Sequence, residues 1–219
     1  MRNQNKLVIF DCDGVLVDSE HLASQTLSTF LQTFNVTLSP EECREKFTGT
    51  SLKYVTEAVE NTFNISLPYH FEELIRQQDQ IVFQQHLKPI NGVQNVLETI
   101  SQPVCVASSG SLKKITTSLQ LCGLFGLLHP YLFSASMVKN GKPAPDLFLH
   151  AANQMDFLSE DCIVIEDSPV GVLAAKRAGM KVYGFCGGSH CSPHHAELLK
   201  EQGADDIFND MAWLKAQLS

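Results

Sequence analysis

The sequence is short of positive charge, of tryptophan and of long apolar runs. Lysine and arginine number 16 against 24 aspartates and glutamates, giving a formal net charge of −8 and a pI near 5.4. That balance argues against a general nucleic-acid surface, because phosphate backbones are held by basic patches. No stretch approaches the roughly 18 apolar residues of a membrane-spanning helix. The first apolar run, Leu7–Phe10, is interrupted at once by carboxylates and is too short for a signal-peptide core. The expectation is a soluble, cytoplasmic protein with neither nucleic-acid nor membrane partners. A disulfide framework is also missing. The 7 cysteines are odd in number and scattered among apolar residues, so they read as reduced thiols, several of them buried. Repeats and low-complexity segments are absent as well.

What is present is ordinary globular material with a regular alternation. A length of 219 residues is long for one domain and short for two, and suits a core domain carrying a smaller insert. Short apolar runs at 7–10, 104–107, 162–165 and 181–185 read as buried strands. Helical patterns follow at 111–121, 144–155, 170–178 and 193–202. Strands alternating with helices predict βαβ units and a parallel sheet with helices on both faces. Between residues 19 and 87 the pattern changes to helix throughout, at 20–34, 40–47, 52–63 and 68–86. Pro40 after Ser39 is a sensible helix start. This block predicts an inserted helical cap over 19–87, with the core formed by 1–18 and 88–219.

Doubly wound sheets bind ligands beyond the carboxyl ends of their strands. Those ends carry Asp11 and Asp13, then Ser108, Ser109 and Gly110, then Lys142, then Glu166 and Asp167. Clustered carboxylates repel and call for a cation, and hard oxygen ligands favour magnesium. Such an ion neutralises a phosphoryl group for in-line attack. One carboxylate can serve as nucleophile and a second, two residues on, as acid and base. Ser108, neighbouring main-chain N–H groups and Lys142 supply donors for phosphate oxygens. Each fragment alone has an ordinary explanation. Asp-x-Asp-Gly occurs in calcium loops and turns, Ser-Ser-Gly is a common loop, Lys142 could be a surface lysine, and Glu166-Asp167-Ser168-Pro169 could be a helix cap. Their joint occurrence is what points to chemistry.

Other polar groups invite plainer readings. The stretch 186–195 contains Cys186, His190, Cys191, His194 and His195 and raises the thought of zinc. Its spacing is loose and no second ligand pair accompanies it, so it reads as a surface connection. His21, His70 and His86 lie in helical patterns and are expected at the surface or in local hydrogen bonds, and Trp213 is expected to anchor the last helix.

Four segments together resemble the motifs of the haloacid-dehalogenase superfamily, in the branch with a helical cap. Asp11-Cys12-Asp13-Gly14-Val15-Leu16-Val17-Asp18-Ser19-Glu20 resembles the first, and Val106-Ala107-Ser108-Ser109-Gly110-Ser111 the second. Lys142-Pro143-Ala144-Pro145-Asp146 resembles the third, and Val164-Ile165-Glu166-Asp167-Ser168-Pro169-Val170-Gly171 the fourth, continued by 174–180. The resemblance implies a Rossmann-like three-layer α/β core with a mostly parallel sheet and an all-helical cap. It also implies a magnesium-dependent phosphomonoester hydrolase. Asp11 would be nucleophile and metal ligand, and Asp13 acid/base with its main-chain carbonyl on the metal. Asp167 would be a further ligand, with Glu166 beside it, direct or through water. Ser108, Ser109 and Lys142 would bind the phosphoryl group, Lys142 also quieting the charge on Asp11. Among members of the superfamily the chain is similar to sugar-phosphate phosphatases and to β-phosphoglucomutases. The histidine and arginine that mutases carry in the cap fall near Ala23 and Leu52 here, which weakens the mutase alternative. Thr50, Ser51 and Lys53 are the candidate cap contacts. A phospho-accepting signalling domain is a further alternative, but such domains lack the second acid and the helical insert. The expected partner is a small phosphorylated metabolite, and the expected state a monomer or weak dimer.

Overall fold

Leu7–Phe10 (β1) is apolar on every residue because both of its faces are covered. In the computed structural model, which describes residues 6–218, it lies near the middle of a six-stranded parallel sheet. The others are Val104–Ser108 (β2), Leu132–Ser134 (β3), Cys162–Glu166 (β4), Lys181–Phe185 (β5) and Asp206–Phe208 (β6). Their order across the sheet is β3-β2-β1-β4-β5-β6. The chain therefore builds outward from β1 to β3 and returns to the other side of β1 at β4. Such a reversal opens a crevice at the carboxyl ends of β1 and its two neighbours. Register brings Phe10 level with Val106 on one side and Ile165 on the other. The residues that follow each strand thus meet at one height.

Side chains alternate between two cores, as a period of two requires. Val8, Phe10, Val106, Ile163, Ile165 and Phe185 face one core, and Leu7, Ile9, Cys105, Val164 and Val182 the other. Val93–Thr99 (α5), Leu112–Leu121 (α6) and Met211–Leu218 (α11) cover the first face; Phe125–Leu128 (α7) adds a turn there. Asp146–Gln154 (α8), Pro169–Arg177 (α9) and Leu199 of His195–Glu201 (α10) cover the second. Trp213 does anchor the last helix, packing edge to face on Tyr183 and stacked on Phe208.

The stretch between β1 and α5 holds four helices, Glu20–Gln32 (α1), Pro40–Phe47 (α2), Leu52–Phe63 (α3) and Phe71–His86 (α4). They bury a core of their own, with Leu27, Leu31, Val55, Val59, Phe71 and Ile75 among its members. Chain exit and return are stitched together. Asp18 N donates to Lys88 O at 2.9 Å, Ile90 N donates to Leu16 O at 3.0 Å, and Val17 bridges Pro89. Ser39 heads α2 with a full capping box involving Glu42, and Pro40 takes the first helical position. Four helices are shorter by more than a residue than their periodicity predicts: α8 and α10 span 146–154 and 195–201 rather than 144–155 and 193–202, and α1 and α4 are also trimmed. α1 stops at Gln32 because Asn35 turns the chain with φ +60°, and α4 starts at Phe71 because Pro68 to His70 form a turn closed by Phe71 N to Pro68 O.

All 7 cysteines are free, and Cys12, Cys43, Cys105, Cys122 and Cys162 are buried. Among the described residues no helix is long and apolar enough to cross a membrane. Phe71 centres the helical core, with Phe30 at 5.7 Å and Phe34 at 5.9 Å between ring centroids. Phe71→Ala is expected to cost about 3–5 kcal/mol, read as a lower urea midpoint. A loss below about 1 kcal/mol would show that the four helices do not depend on this cluster.

Candidate active site

The turn after β1 brings its two aspartates to the crevice. Gly14 permits it, with φ +80° and so little room that a Cβ would lie 1.9 Å from Asp167 Oδ2. Main-chain bonds from Gly14 N to Val17 O and from Val17 N to Cys12 O close the turn. Asp11 and Asp13 are then held by different cations.

Lys142 reaches in from the loop before α8, and its side chain is only 2% exposed. Its ammonium has three protons and places all of them. It donates to Asp11 Oδ1 at 2.5 Å, Glu166 Oε1 at 2.7 Å and Ala107 O at 3.1 Å. The Phe148 ring lies 4.9 Å away and adds a face to the same charge. Burial opposes that charge, but Asp11 and Glu166 outweigh it and hold Lys142 above the usual lysine range. Burial likewise pushes the Asp11 carboxyl well up; Lys142 opposes this, and Glu166, Asp167 and Asp13 add to it.

Asp13 bonds Ser19 Oγ at 2.6 Å and Lys114 Nζ at 2.9 Å through Oδ1. Burial alone would raise its carboxyl, but Lys114 and the Ser19 hydroxyl prevail and hold it below the ordinary carboxylate range. Lys114 lies outside the motifs, and Ser19 stands in the first motif without an assigned role. A signal for Lys114 did exist: it lies in the first turn of α6, capped by Ser111, where the helix dipole disfavours cations. Asp13 offsets that cost for Lys114, whereas Lys113 in the same turn stays in solvent. Glu20 is drawn into the same field, its carboxyl pushed up to about 8 by burial and by Asp13 and Asp167. Asp79 on α4 is pushed up to about 6, again by burial first.

At the end of β4 the two acids part. Glu166 turns beneath α9, where Oε2 accepts from Ser168 N and Ser168 Oγ while Oε1 accepts from Lys142. Gly171 makes the space, since a Cβ there would sit 1.7 Å from Glu166 Oε1. Ser168 also caps α9 through Gly171 N, so the capping explanation of this segment holds alongside the chemical one. Asp167 turns toward Gly14. It is buried, burial raising its carboxyl and Glu166 adding to that, and its Oδ2 has no hydrogen-bond donor.

Ser108 is buried, its Oγ accepting from Gly110 N at 3.0 Å. Ser134 at the end of β3 donates to Gly110 O at 2.7 Å and so braces this loop, a support hidden in a three-residue strand. Ser109 faces the helical insert, with Oγ 3.5 Å from Gly49 O. Gly49 itself presses on α9, where a Cβ would meet Ser168 Cβ at 2.6 Å. Of the cap candidates, Thr50 donates to Phe47 O, Ser51 caps α3 through Tyr54 N, and Lys53 is 78% exposed beside Glu57. These three side chains are committed locally.

The stretch 186–195 departs from the expected surface connection. His190 is 2% and His195 8% exposed, because both rings tuck against Asp167. His190, Cys191 and His195 do bring ligand atoms within 4.8 Å of one another. His190 Nε2 lies 2.8 Å from Asp167 Oδ2 and 3.5 Å from Cys191 Sγ, and His195 Nε2 donates to Asp167 O, so both rings also have partners outside the trio.

Comparison with known proteins identifies the family of the chain. The profile of the haloacid dehalogenase-like hydrolase family matches residues 8–185. The 6-phosphogluconate phosphatase of Escherichia coli K12 is 36% identical over 190 residues, covering 85% of each chain. A conserved haloacid dehalogenase-like protein of unknown function from Agrobacterium tumefaciens superposes with a TM-score of 0.86 at 35% identity, over 97% of both chains. A HAD family hydrolase from Deinococcus radiodurans, solved with bound phosphate and sodium, gives 0.80 at 29% identity over 99% of this chain and 96% of its own. With a profile match over most of its length and a relative this similar, the chain belongs to the haloacid dehalogenase-like hydrolase family.

Proposed function

We propose that the protein is a magnesium-dependent phosphatase that hydrolyses a small sugar phosphate through an aspartyl-phosphate on Asp11. The observation that carries this reading is the pair Asp11 and Asp13 at one strand end, each bound by a different lysine. The identity with a 6-phosphogluconate phosphatase supports the substrate class.

The residues fit a divalent cation. Asp11, Asp13, Glu166 and Asp167 crowd together against Lys142 and Lys114, and the buried Asp167 Oδ2 lacks a donor. A hard cation with oxygen ligands answers that surplus of negative charge. Asp11, the main-chain carbonyl of Asp13 and Asp167 would hold it. Glu166, whose oxygens are taken by Lys142 and Ser168, would act from behind them. Bound there, magnesium would supply charge neutralisation for the phosphoryl oxygens.

In the first step an Asp11 oxygen attacks phosphorus, the ester P–O bond breaks, and Asp13 gives its proton to the departing oxygen. Water then attacks the phosphorus of the acyl phosphate and passes a proton to Asp13, and the Asp11 carboxylate leaves as inorganic phosphate is released. Lys114 and Ser19 favour the ionised form of Asp13, which it reaches after the first step and in which it accepts that proton; they disfavour the protonated form that begins the cycle. Ser108, Ser109 and the N–H groups of their loop receive the phosphoryl oxygens, with Lys142 supplying charge. Residues 19–87 act as a cap over the core of 1–18 and 88–219, excluding bulk water and sampling the leaving group. Thr50, Ser51 and Lys53 would reach substrate only by giving up their local bonds. With Ala23 and Leu52 near the places where mutases carry histidine and arginine, hydrolysis is preferred to isomerisation.

Phosphate release from a panel of sugar phosphates and 6-phosphogluconate should appear with magnesium and vanish with EDTA. Asp11→Asn should lower turnover by on the order of 10³-fold or more, and Asp13→Asn by about 10²–10⁴-fold. Near-native turnover in Asp11→Asn would sink the mechanism. Glu20 offers a check by pH. Its folded pKa of about 8 against an ordinary 4.5 means the folded chain keeps a proton the unfolded chain has lost. Its contribution to stability therefore falls as pH rises between those values and stays lost above them. Thermal melts in EDTA at pH 6 and pH 9 should show a smaller alkaline loss for Glu20→Gln than for the wild type. Equal losses would contradict the burial of that carboxyl.

A further inference from the structure

The stretch from Gly187 to His195 is fastened at both ends to the acidic site. Ser189 N and Ser189 Oγ both donate to Asp18 Oδ1, at 3.0 and 2.8 Å, which ties the loop to the end of the β1 turn. Gly188 lets the backbone pass so close that a Cβ would lie 2.6 Å from the His190 ring and 3.2 Å from Gly14 O. The ring is pressed in turn onto Gly14, whose absent Cβ would lie 2.9 Å from His190 Cε1. His190 Nε2 then stands 2.8 Å from Asp167 Oδ2, in ion-pair range but outside hydrogen-bond alignment. From the start of α10, His195 donates its Nε2–H to Asp167 O at 2.5 Å. The two rings meet edge to face at 5.4 Å.

Asp167 is thus gripped at its main-chain carbonyl by one histidine and flanked at its carboxylate by another. Gly14 lies beside His190 at the same Oδ2, with only a hydrogen where other residues carry Cβ. The Asp167 carboxylate has its own main-chain N–H as a hydrogen-bond donor, while Oδ2 is left unsatisfied.

We propose that the Gly-Gly-Ser-His loop and His195 form a clasp that sets the Asp167 carboxylate for its cation, with His190 as the principal positioning residue. This rests on the magnesium reading above. His190 touches neither substrate nor the phosphoryl group in this role; it acts through Asp167. Partners that orient a metal ligand commonly govern affinity by about 10–100-fold.

The test is manganese binding to the full chain, followed by the electron paramagnetic resonance of free Mn²⁺, for wild type, Asp167→Asn, His190→Ala, His190→Gln and Ser189→Ala. His190→Ala should weaken Mn²⁺ binding by about 10–100-fold, His190→Gln should recover part of the loss, and Ser189→Ala should weaken binding by a smaller factor. Circular dichroism establishes which variants fold; if His190→Ala does not, the other two carry the test. Wild-type affinity in every folded loop variant overturns the clasp while leaving the metal site intact. Absence of saturable binding in the wild type, or its retention in Asp167→Asn, overturns the metal reading and the clasp with it.

Discussion

Lys142 is the interaction on which the rest of the site depends. One ammonium, on a side chain 2% exposed, joins Asp11 after β1, Glu166 at the end of β4 and the main-chain carbonyl of Ala107 in β2. Buried carboxylates are tolerated only when paired and hydrogen-bonded. Without this cation, acids that already raise one another's pKa would face each other unrelieved. The parallel register of β1 with β2 and β4 puts the three acceptors within reach of one Nζ. The sheet and the charge cluster are therefore mutually dependent: the sheet gathers the acids, and the lysine makes their gathering affordable.

Close approach is the second constraint, and glycine serves it in different ways. Gly14 needs its positive φ to make the turn and its missing Cβ to admit Asp167. Gly171 sits in a helix with ordinary geometry, and only its lack of a side chain matters, since Glu166 fills that space. Gly49 lets the helical insert touch α9 beside the same acids. Insert and core are thus in contact at the crevice, where Ser109, Gly49 and Ser168 come together. Lys114 forms a second junction, pairing with Asp13 while lying 5.8 Å from the Phe83 ring of α4.

Much of this was legible in the residues. Leu7–Phe10, the later apolar runs and the helical periods followed from burial on both faces and from spacing, and the strand-end acids, serines and lysine followed from motif order. Less legible were the elements with too few residues to carry a pattern. Leu132–Ser134 and Asp206–Phe208 have three residues each and become strands because β2 and β5 offer them open edges. The site's hidden members share another property, which is that their partners are distant in sequence. Ser134 supports Gly110, and His195 holds Asp167 across 28 positions, so no local spacing announces either contact. The loop at 186–195 looked like surface because its composition is polar; two of its histidines are buried because Asp167 supplies polar contacts inside.

By itself the sequence determined the alternation of strands and helices, the inserted helical block and the identity of the groups that end each strand. These depend on short-range periodicity and on chemistry that each residue carries wherever it lies. The resemblance set Lys142 against Asp11; only the tertiary structure decided that Glu166 falls to the same lysine, Asp13 to Lys114, and Asp167 to the two histidines. Pairings of this kind are settled by sheet register, by the clearance that single glycines leave, and by the balance of burial against charge. None of those exists until the chain has folded.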